Sequence, residues 1–167
     1  MSDGPAVRVA VVTVSDRSFR GEREDRSGPA LAEAAEAGGA QVVRRELVPD
    51  DPDALAALLA AMCDAHDAPD LVLTTGGTGL GPRDRTPEAT AAICERLVPG
   101  IAEALRADAL RVTPHGMLSR GVAGVRGRTL VVNLPGSTGG ARDGWGLVAR
   151  VAAHAASQLR GGDHPGP

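Results

Sequence analysis

Lysine is missing from this chain of 167 residues; all 18 positions counted as Lys or Arg are Arg. Tyrosine is missing too, and Phe19 and Trp145 are the whole aromatic complement. Without lysine there is no G-x-x-x-x-G-K-[ST] phosphate loop, no Schiff-base amine and no kinase-type lysine. Without aromatic platforms, single-stranded nucleic acid has nothing to stack on. A formal net charge of -3 argues against binding a phosphate backbone. Cysteine is scarce: Cys63 and Cys94 have no neighbouring Cys or spaced His pair, so a zinc site is not indicated. Both read as small apolar side chains on helices. No run approaches the ~20 apolar residues of a membrane span. Met1 to Pro5 has neither basic nor apolar leader character. The expectation is a cytoplasmic protein with no nucleic-acid and no membrane partner.

What is present is a regular alternation. Val7 to Val14 is an apolar, β-branched run that reads as a buried strand. A polar loop follows, Ser15 to Arg26. Ser27-Gly28-Pro29 opens a helix that Gly38-Gly39 stops. Gln41 to Val48 reads as a strand. Asp50-Asp51-Pro52 starts a helix whose Leu55, Leu58, Leu59 and Met62 form one apolar stripe. Asp70 to Thr75 is a third strand running into Gly76-Gly77-Thr78-Gly79. Thr86-Pro87-Glu88 opens another helix, with Thr86 as cap. A further helix runs near Ile101 to Leu110. Leu118 to Val125 reads as extended and glycine-broken, Thr129 to Leu134 as the last strand. Pro135-Gly136-Ser137 turns into a final helix striped by Trp145, Val148, Ala149, Ala152, Ala156 and Leu159. The pattern predicts a single α/β domain over 1–160, with a mainly parallel sheet covered on both faces. The Gly/Pro-rich tail, 161–167, is expected to be disordered.

The polar residues that break this pattern fall at strand carboxyl ends, where open parallel sheets bind ligands. They are Ser15-Asp16, Pro49-Asp50, Thr74 to Gly79 with Asp84 and Thr86 beyond, and Asn133 to Ser137. A glycine turn lets backbone N–H groups approach a ligand, and the helix start behind it favours anions. On pattern alone, T-T-G-G-T-G is either a phosphate cradle or a tight turn. Asp50 is either a ligand-site carboxylate or part of a helix start. Asp84 either joins Asp50 around a divalent cation or pairs with Arg83 or Arg85. Arg120, beside Ser119, either holds an anion or makes a surface ion pair. Pro135-Gly136-Ser137 is a second anion candidate. His66, His115, His154 and His164 are scattered, with no triad partner in view.

Taken together, these segments resemble the molybdenum-cofactor biosynthesis family of molybdopterin adenylyltransferases and their close bacterial sister branch. The matching stretches are V-V-T-V-S-D-R (11 to 17), D-R-S-G-P (25 to 29), V-P-D (48 to 50) and T-T-G-G-T-G-L-G-P-R-D-R-T-P-E-A-T (74 to 90). M-L-S-R-G-V-A-G-V-R-G (117 to 127) and N-L-P-G-S (133 to 137) complete the set. The resemblance implies a three-layer α/β/α sandwich of the molybdopterin-binding type. It implies a homotrimer, with hexamers in some members, and transient contact with other molybdenum-cofactor enzymes. The implied reaction joins ATP and molybdopterin, with Mg²⁺, into adenylyl-molybdopterin and pyrophosphate. Asp50 and Asp84 fall on the family's essential aspartates, which carry catalysis and the metal, Asp84 foremost. The implied substrate-binding set is Ser15, Asp16, Thr75, Gly76, Gly77, Thr78, Gly79, Thr86, Pro87, Ser119, Asn133, Pro135, Gly136 and Ser137. The R-D-x-T-P-E-A block is similar to the adenylyltransferase branch. The Pro-Gly-Ser-Thr ending is similar to the sister branch, which leaves a non-catalytic molybdopterin-binding homologue as the alternative.

Overall fold

Every strand that the hydrophobic runs announce is present, and their order across the sheet places the site. The computed structural model describes residues 6–162; Met1 to Pro5, and 163–167 of the expected disordered tail, lie outside it. In chain order the elements are β1 (Arg8–Val14), α1 (Asp16–Phe19), α2 (Ser27–Ala37), β2 (Gln41–Val48), α3 (Pro52–Asp64), β3 (Leu71–Thr75) and α4 (Thr86–Ile93). Then come β4 (Arg96–Leu97), α5 (Pro99–Leu110), a 3₁₀ turn (Pro114–Leu118), β5 (Ala123–Arg126), β6 (Thr129–Leu134) and α6 (Thr138–Leu159). The sheet order is β2-β1-β3-β6-β5-β4. β2, β1, β3 and β6 run parallel; β5 is antiparallel to both of its neighbours.

The central strands are apolar on both faces because both faces are covered. On one face Val9, Val11, Leu71, Leu73 and Val132 pack against α2 and α6 through Leu31, Ala35, Ala141, Trp145 and Val148. On the other, Ala10, Val12, Val72 and Val131 meet α3 and α4 through Leu55, Leu59, Met62 and Ala89. This is the expected three-layer α/β/α arrangement. Trp145 belongs to that core, as its place on the α6 stripe implied.

Four local expectations need correction. The loop after β1 contains a single helical turn, α1, because the Ser15 side chain accepts the Ser18 N–H and caps it. Thr86 is not the cap of α4. Arg85 holds that position without a side-chain bond, and Thr86 is already helical. β4 has only two residues, both exposed, too short for any periodicity to show. Leu118 closes a 3₁₀ turn rather than opening a strand, and β5 begins only at Ala123.

Candidate active site

The chain leaves β1 toward β2 on one side and enters β3 and β6 on the other. That reversal opens a crevice at the carboxyl ends of β1 and β3, the place where open α/β sheets bind ligands. The crevice here is a cleft of about 760 Å³. Thr13, Val14 and Ser15 line it from β1, Thr75, Gly76 and Gly77 from β3, and Gly136, Ser137 and Thr138 from the start of α6. Asp50 and Asp84 face it from two further loops. Its outer wall is Ser18 with the run Arg23 to Ser27.

The two glycine turns are built against each other. Gly76 has φ +104°, and a Cβ there would lie 2.3 Å from the Val14 carbonyl oxygen. Only glycine fits. Its N–H donates to the Leu134 carbonyl at 3.2 Å, and the Thr75 hydroxyl donates to the Pro135 carbonyl at 2.7 Å. The backbone of the first turn thus lies directly on the Pro135-Gly136-Ser137 turn. Ser137 caps α6, its hydroxyl accepting the Gly140 N–H at 3.1 Å.

Asp16 and Asp50 exchange bonds. The Asp16 N–H donates to Asp50 Oδ2 at 2.8 Å, and the Asp50 N–H donates to Asp16 Oδ1 at 3.0 Å. Arg83 then closes on the Asp16 carboxylate. That guanidinium holds Asp16 below the usual carboxylate range. Asp50 moves the other way. Burial raises it first, and the negative charges of Asp16 and Asp84 raise it further. Asp84 Oδ2 accepts the Gly81 N–H at 2.9 Å. Asp50 Oδ1 and Asp84 Oδ1 have no hydrogen-bond donor among the described residues. Those residues contain no cluster of three or more His, Cys, Asp or Glu side chains able to hold a metal unaided.

Of the expected substrate residues, Ser15, Thr75, Gly76, Gly77, Gly136 and Ser137 line the cleft with the two aspartates; the others do not. Asp16 is committed to Asp50 and Arg83, as above. Asn133, 3% exposed, turns inward. Its amide donates to Thr74 Oγ1 at 3.0 Å and Thr90 Oγ1 at 2.9 Å, and its oxygen accepts the Val122 N–H at 3.1 Å. Thr86 is 1% exposed, and its hydroxyl is buried beneath Gly77 with no hydrogen-bond partner. Pro87 and Thr78 are buried. Gly79, Ser119 and Pro135 are half-buried and not part of the lining. Arg120 is neither an open anion holder nor a simple surface ion pair, since it bonds backbone carbonyls as well as Glu88.

The lining also includes Arg23, Glu24, Asp25, Arg26 and Ser27, none of them expected as a site residue, although D-R-S-G-P (25 to 29) is one of the matching stretches and Ser27 opens α2. The available signal was Asp25, three residues before Gly28, a helix-capping distance. Its carboxylate accepts the Gly28 N–H at 3.0 Å and the Thr13 hydroxyl at 2.8 Å, tying α2 to β1.

The family described as "Probable molybdopterin binding domain" matches residues 10–154. A molybdopterin adenylyltransferase of Helicobacter pylori strain J99 is 40% identical over 132 residues, 78% of this chain and 74% of that protein. The molybdopterin adenylyltransferase of Escherichia coli K12 is 38% identical over 132 residues, 78% of this chain and 67% of that protein. The crystal structure of the molybdopterin biosynthesis enzyme MoaB from Thermus thermophilus superposes with a TM-score of 0.86 at 52% identity, covering 93% of this chain and 97% of that one.

Proposed function

The chain belongs to the molybdopterin-binding domain family, and from that premise we propose that it is an adenylyltransferase of molybdenum cofactor biosynthesis acting on molybdopterin. Its co-substrate is ATP. The terminal phosphate oxygen of the pterin attacks the α-phosphorus of ATP. A new P–O bond forms, the bond to the β-phosphate breaks, and pyrophosphate leaves. Such a transfer needs positioning and charge neutralisation rather than a protein nucleophile.

The observation that carries this reading is the convergence of Asp50, Asp84, the Gly76-Gly77 turn and the Ser137-Thr138 helix start on one cleft. The Gly77 N–H and the opening of α6 take phosphate oxygens, which is how a site without lysine holds them, while the Gly76 N–H stays on the Leu134 carbonyl. Asp84 foremost, with Asp50, would hold Mg²⁺, an ion that favours one or two carboxylates and completes its shell with water and substrate phosphate. The donor set fits, because each carboxylate has one oxygen on a backbone N–H and one without a partner. Bound there, Mg²⁺ would offset the charge of the phosphates. Ser15 and Thr75 line the pocket floor. Asp16 through Asp50, Thr86 through the Gly77 carbonyl and Pro135 through the Thr75 hydroxyl support that lining, while Thr78, Gly79, Pro87, Ser119 and Asn133 lie outside it.

Among the described residues no helix is long and apolar enough to cross a membrane. We read the protein as a cytoplasmic homotrimer that meets other enzymes of the cofactor route transiently. Exposed Leu110, Val112, Met117 and Leu118 give such an assembly apolar surface. The deciding experiment incubates the protein with molybdopterin, ATP and Mg²⁺ and separates the products by chromatography. Adenylyl-molybdopterin and pyrophosphate are expected. Equal product from Asp84→Ala overturns the assignment. The Pro135-Gly136-Ser137-Thr138 ending, similar to the sister branch, gives a second reading, pterin binding without transfer. Turnover that depends on Asp50 removes it.

A further inference from the structure

The loop 76–85 carries both the glycine turn and Asp84, yet little of its backbone is tied to the sheet. From Thr78 to Asp84 every carbonyl bonded from outside the loop is bonded by one residue. The Arg120 N–H donates to the Thr78 carbonyl at 2.9 Å, and its Nε to the Gly79 carbonyl at 2.8 Å. One terminal nitrogen donates to the carbonyl of Asp84 itself at 2.5 Å, and the other to Glu88 Oε1 at 2.5 Å. The guanidinium therefore spans the two ends of the loop and anchors them to the first turn of α4. The carboxylate of Asp84 is fixed in turn by the Gly81 N–H at 2.9 Å, inside the same loop.

The geometry points to Arg120 as a positioning residue for Asp84. It does not line the cleft; it acts by holding the backbone from which Asp84 projects. A planar fork with donors in several directions can satisfy two carbonyls and a carboxylate at once, whereas an ammonium on a flexible stem cannot reproduce that spread. The inference rests on the adenylyl-transfer reading for its kinetic consequence only; the clamp itself is a statement about the loop.

The test uses Arg120→Ala, Arg120→Lys and Glu88→Gln in the full chain. The loop contains its own reporter, because trypsin cuts after Arg83 and Arg85, both exposed. Mass spectrometry of brief digests reads cleavage at those two sites. Arg120→Ala is expected to speed it by about tenfold, through a larger open population. Its kcat is expected to fall about 100-fold, the order expected for a misplaced catalytic group, with KM for ATP within about twofold. Arg120→Lys should recover part of both effects. Glu88→Gln, which keeps the carbonyl bonds, should change either by no more than about fivefold.

Unchanged cleavage at Arg83 and Arg85 in both Arg120 variants overturns the proposal, whatever happens to the melting temperature. So does a raised KM with kcat intact, which would place Arg120 on the substrate. A parent protein that transfers no adenylyl group sinks the functional reading instead, and the trypsin result still decides the clamp.

Discussion

Asp70 and Asp50 are the same side chain at opposite edges of one sheet, and they are treated in opposite ways. At the amino-terminal edge, Asp70 Oδ2 accepts the Arg8 N–H at 2.9 Å and Oδ1 accepts Arg160 at 2.7 Å. The Arg8 guanidinium donates to the carbonyls of Asp67 and Ala68, and the Thr129 hydroxyl to that of Pro69. Charge there is answered by opposite charge. At the carboxyl edge, Asp50 has Asp16 and Asp84 for neighbours and no arginine bonded to it. The glycines repeat the contrast. A Cβ added at Gly39 (φ +85°), just before β2, would meet nothing within 4 Å, whereas one at Gly76 (φ +104°) would strike Val14. One edge is arranged for stability. The other keeps Asp50 beside like charges with no arginine bonded to it, an arrangement that repels phosphates until a divalent cation comes between them.

The sharpest way to break this comparison is to exchange the consequences. Asp84→Ala and Asp50→Asn should each lower the adenylyl-transfer rate by about 100- to 1000-fold. Asp70→Ala should leave the rate within about twofold and lose about 1–2 kcal/mol of stability. Pyrophosphate release and urea unfolding on the same preparations decide it. Loss of activity in Asp70→Ala at full stability would erase the division between edges. Next in size come the glycines. Gly76→Ala should cost about 3 kcal/mol or more, since the obstacle is backbone. Gly39→Ala carries only the left-handed penalty of about 1 kcal/mol. Equal melting temperatures for the two would show that Val14 and the turn can part without cost.

The same contrast explains what could be seen without coordinates. The inner strands were legible because burial on both faces makes them continuous apolar runs, and Thr129 to Leu134 matches the structure at both ends; Gln41 to Val48, an edge strand with no buried residue, matches at both ends as well. The cleft was legible because, in the inner strands β1, β3 and β6, polar residues gather toward the carboxyl ends. What stayed hidden was direction. Nothing in N-L-P-G-S says that Asn133 turns inward to Thr74 and Thr90 while Ser137, four residues on, caps a helix at the cleft. A strand alternates its faces, so one residue of register separates a ligand from a strut. Arg120 was ambiguous for another reason. Its partners, Gly79, Asp84 and Glu88, lie more than 30 positions away, and two of the bonds are to backbone, which leaves no compositional trace.

A smaller effect separates Asp50 from its bonded neighbour. Because folding raises Asp50, its charge opposes folding at neutral pH, and that penalty fades as pH falls toward the ordinary carboxylate value. Asp50→Asn keeps an oxygen to accept the Asp16 N–H and drops the charge. It should be about 0.5–1 kcal/mol more stable than the parent at neutral pH. The gain should vanish in acid. Asp16, lowered by Arg83, contributes in the opposite sense: its stabilisation is present above the ordinary value and is lost as pH falls through the folded one. Urea unfolding across the acid range gives both signs. A gain for Asp50→Asn that persists in acid would mean that the charge is not its source.

The smallest change asks how deep the ligand edge extends. The Thr86 hydroxyl is buried without a partner, while those of Thr74 and Thr90, on the same side of the sheet, both accept the Asn133 amide. Removing an unpaired buried hydroxyl by a substitution of equal shape relieves desolvation. Thr86→Val should therefore gain up to about 0.5 kcal/mol, where Thr90→Val should lose about 1 kcal/mol. With Gly77 lying over that hydroxyl, the transfer rate of Thr86→Val should stay within about twofold. A tenfold fall in rate at raised stability would mean that the turn lifts when substrate binds. The hydroxyl would then be held in reserve for a phosphate oxygen, and the boundary between lining and support would lie one layer further in.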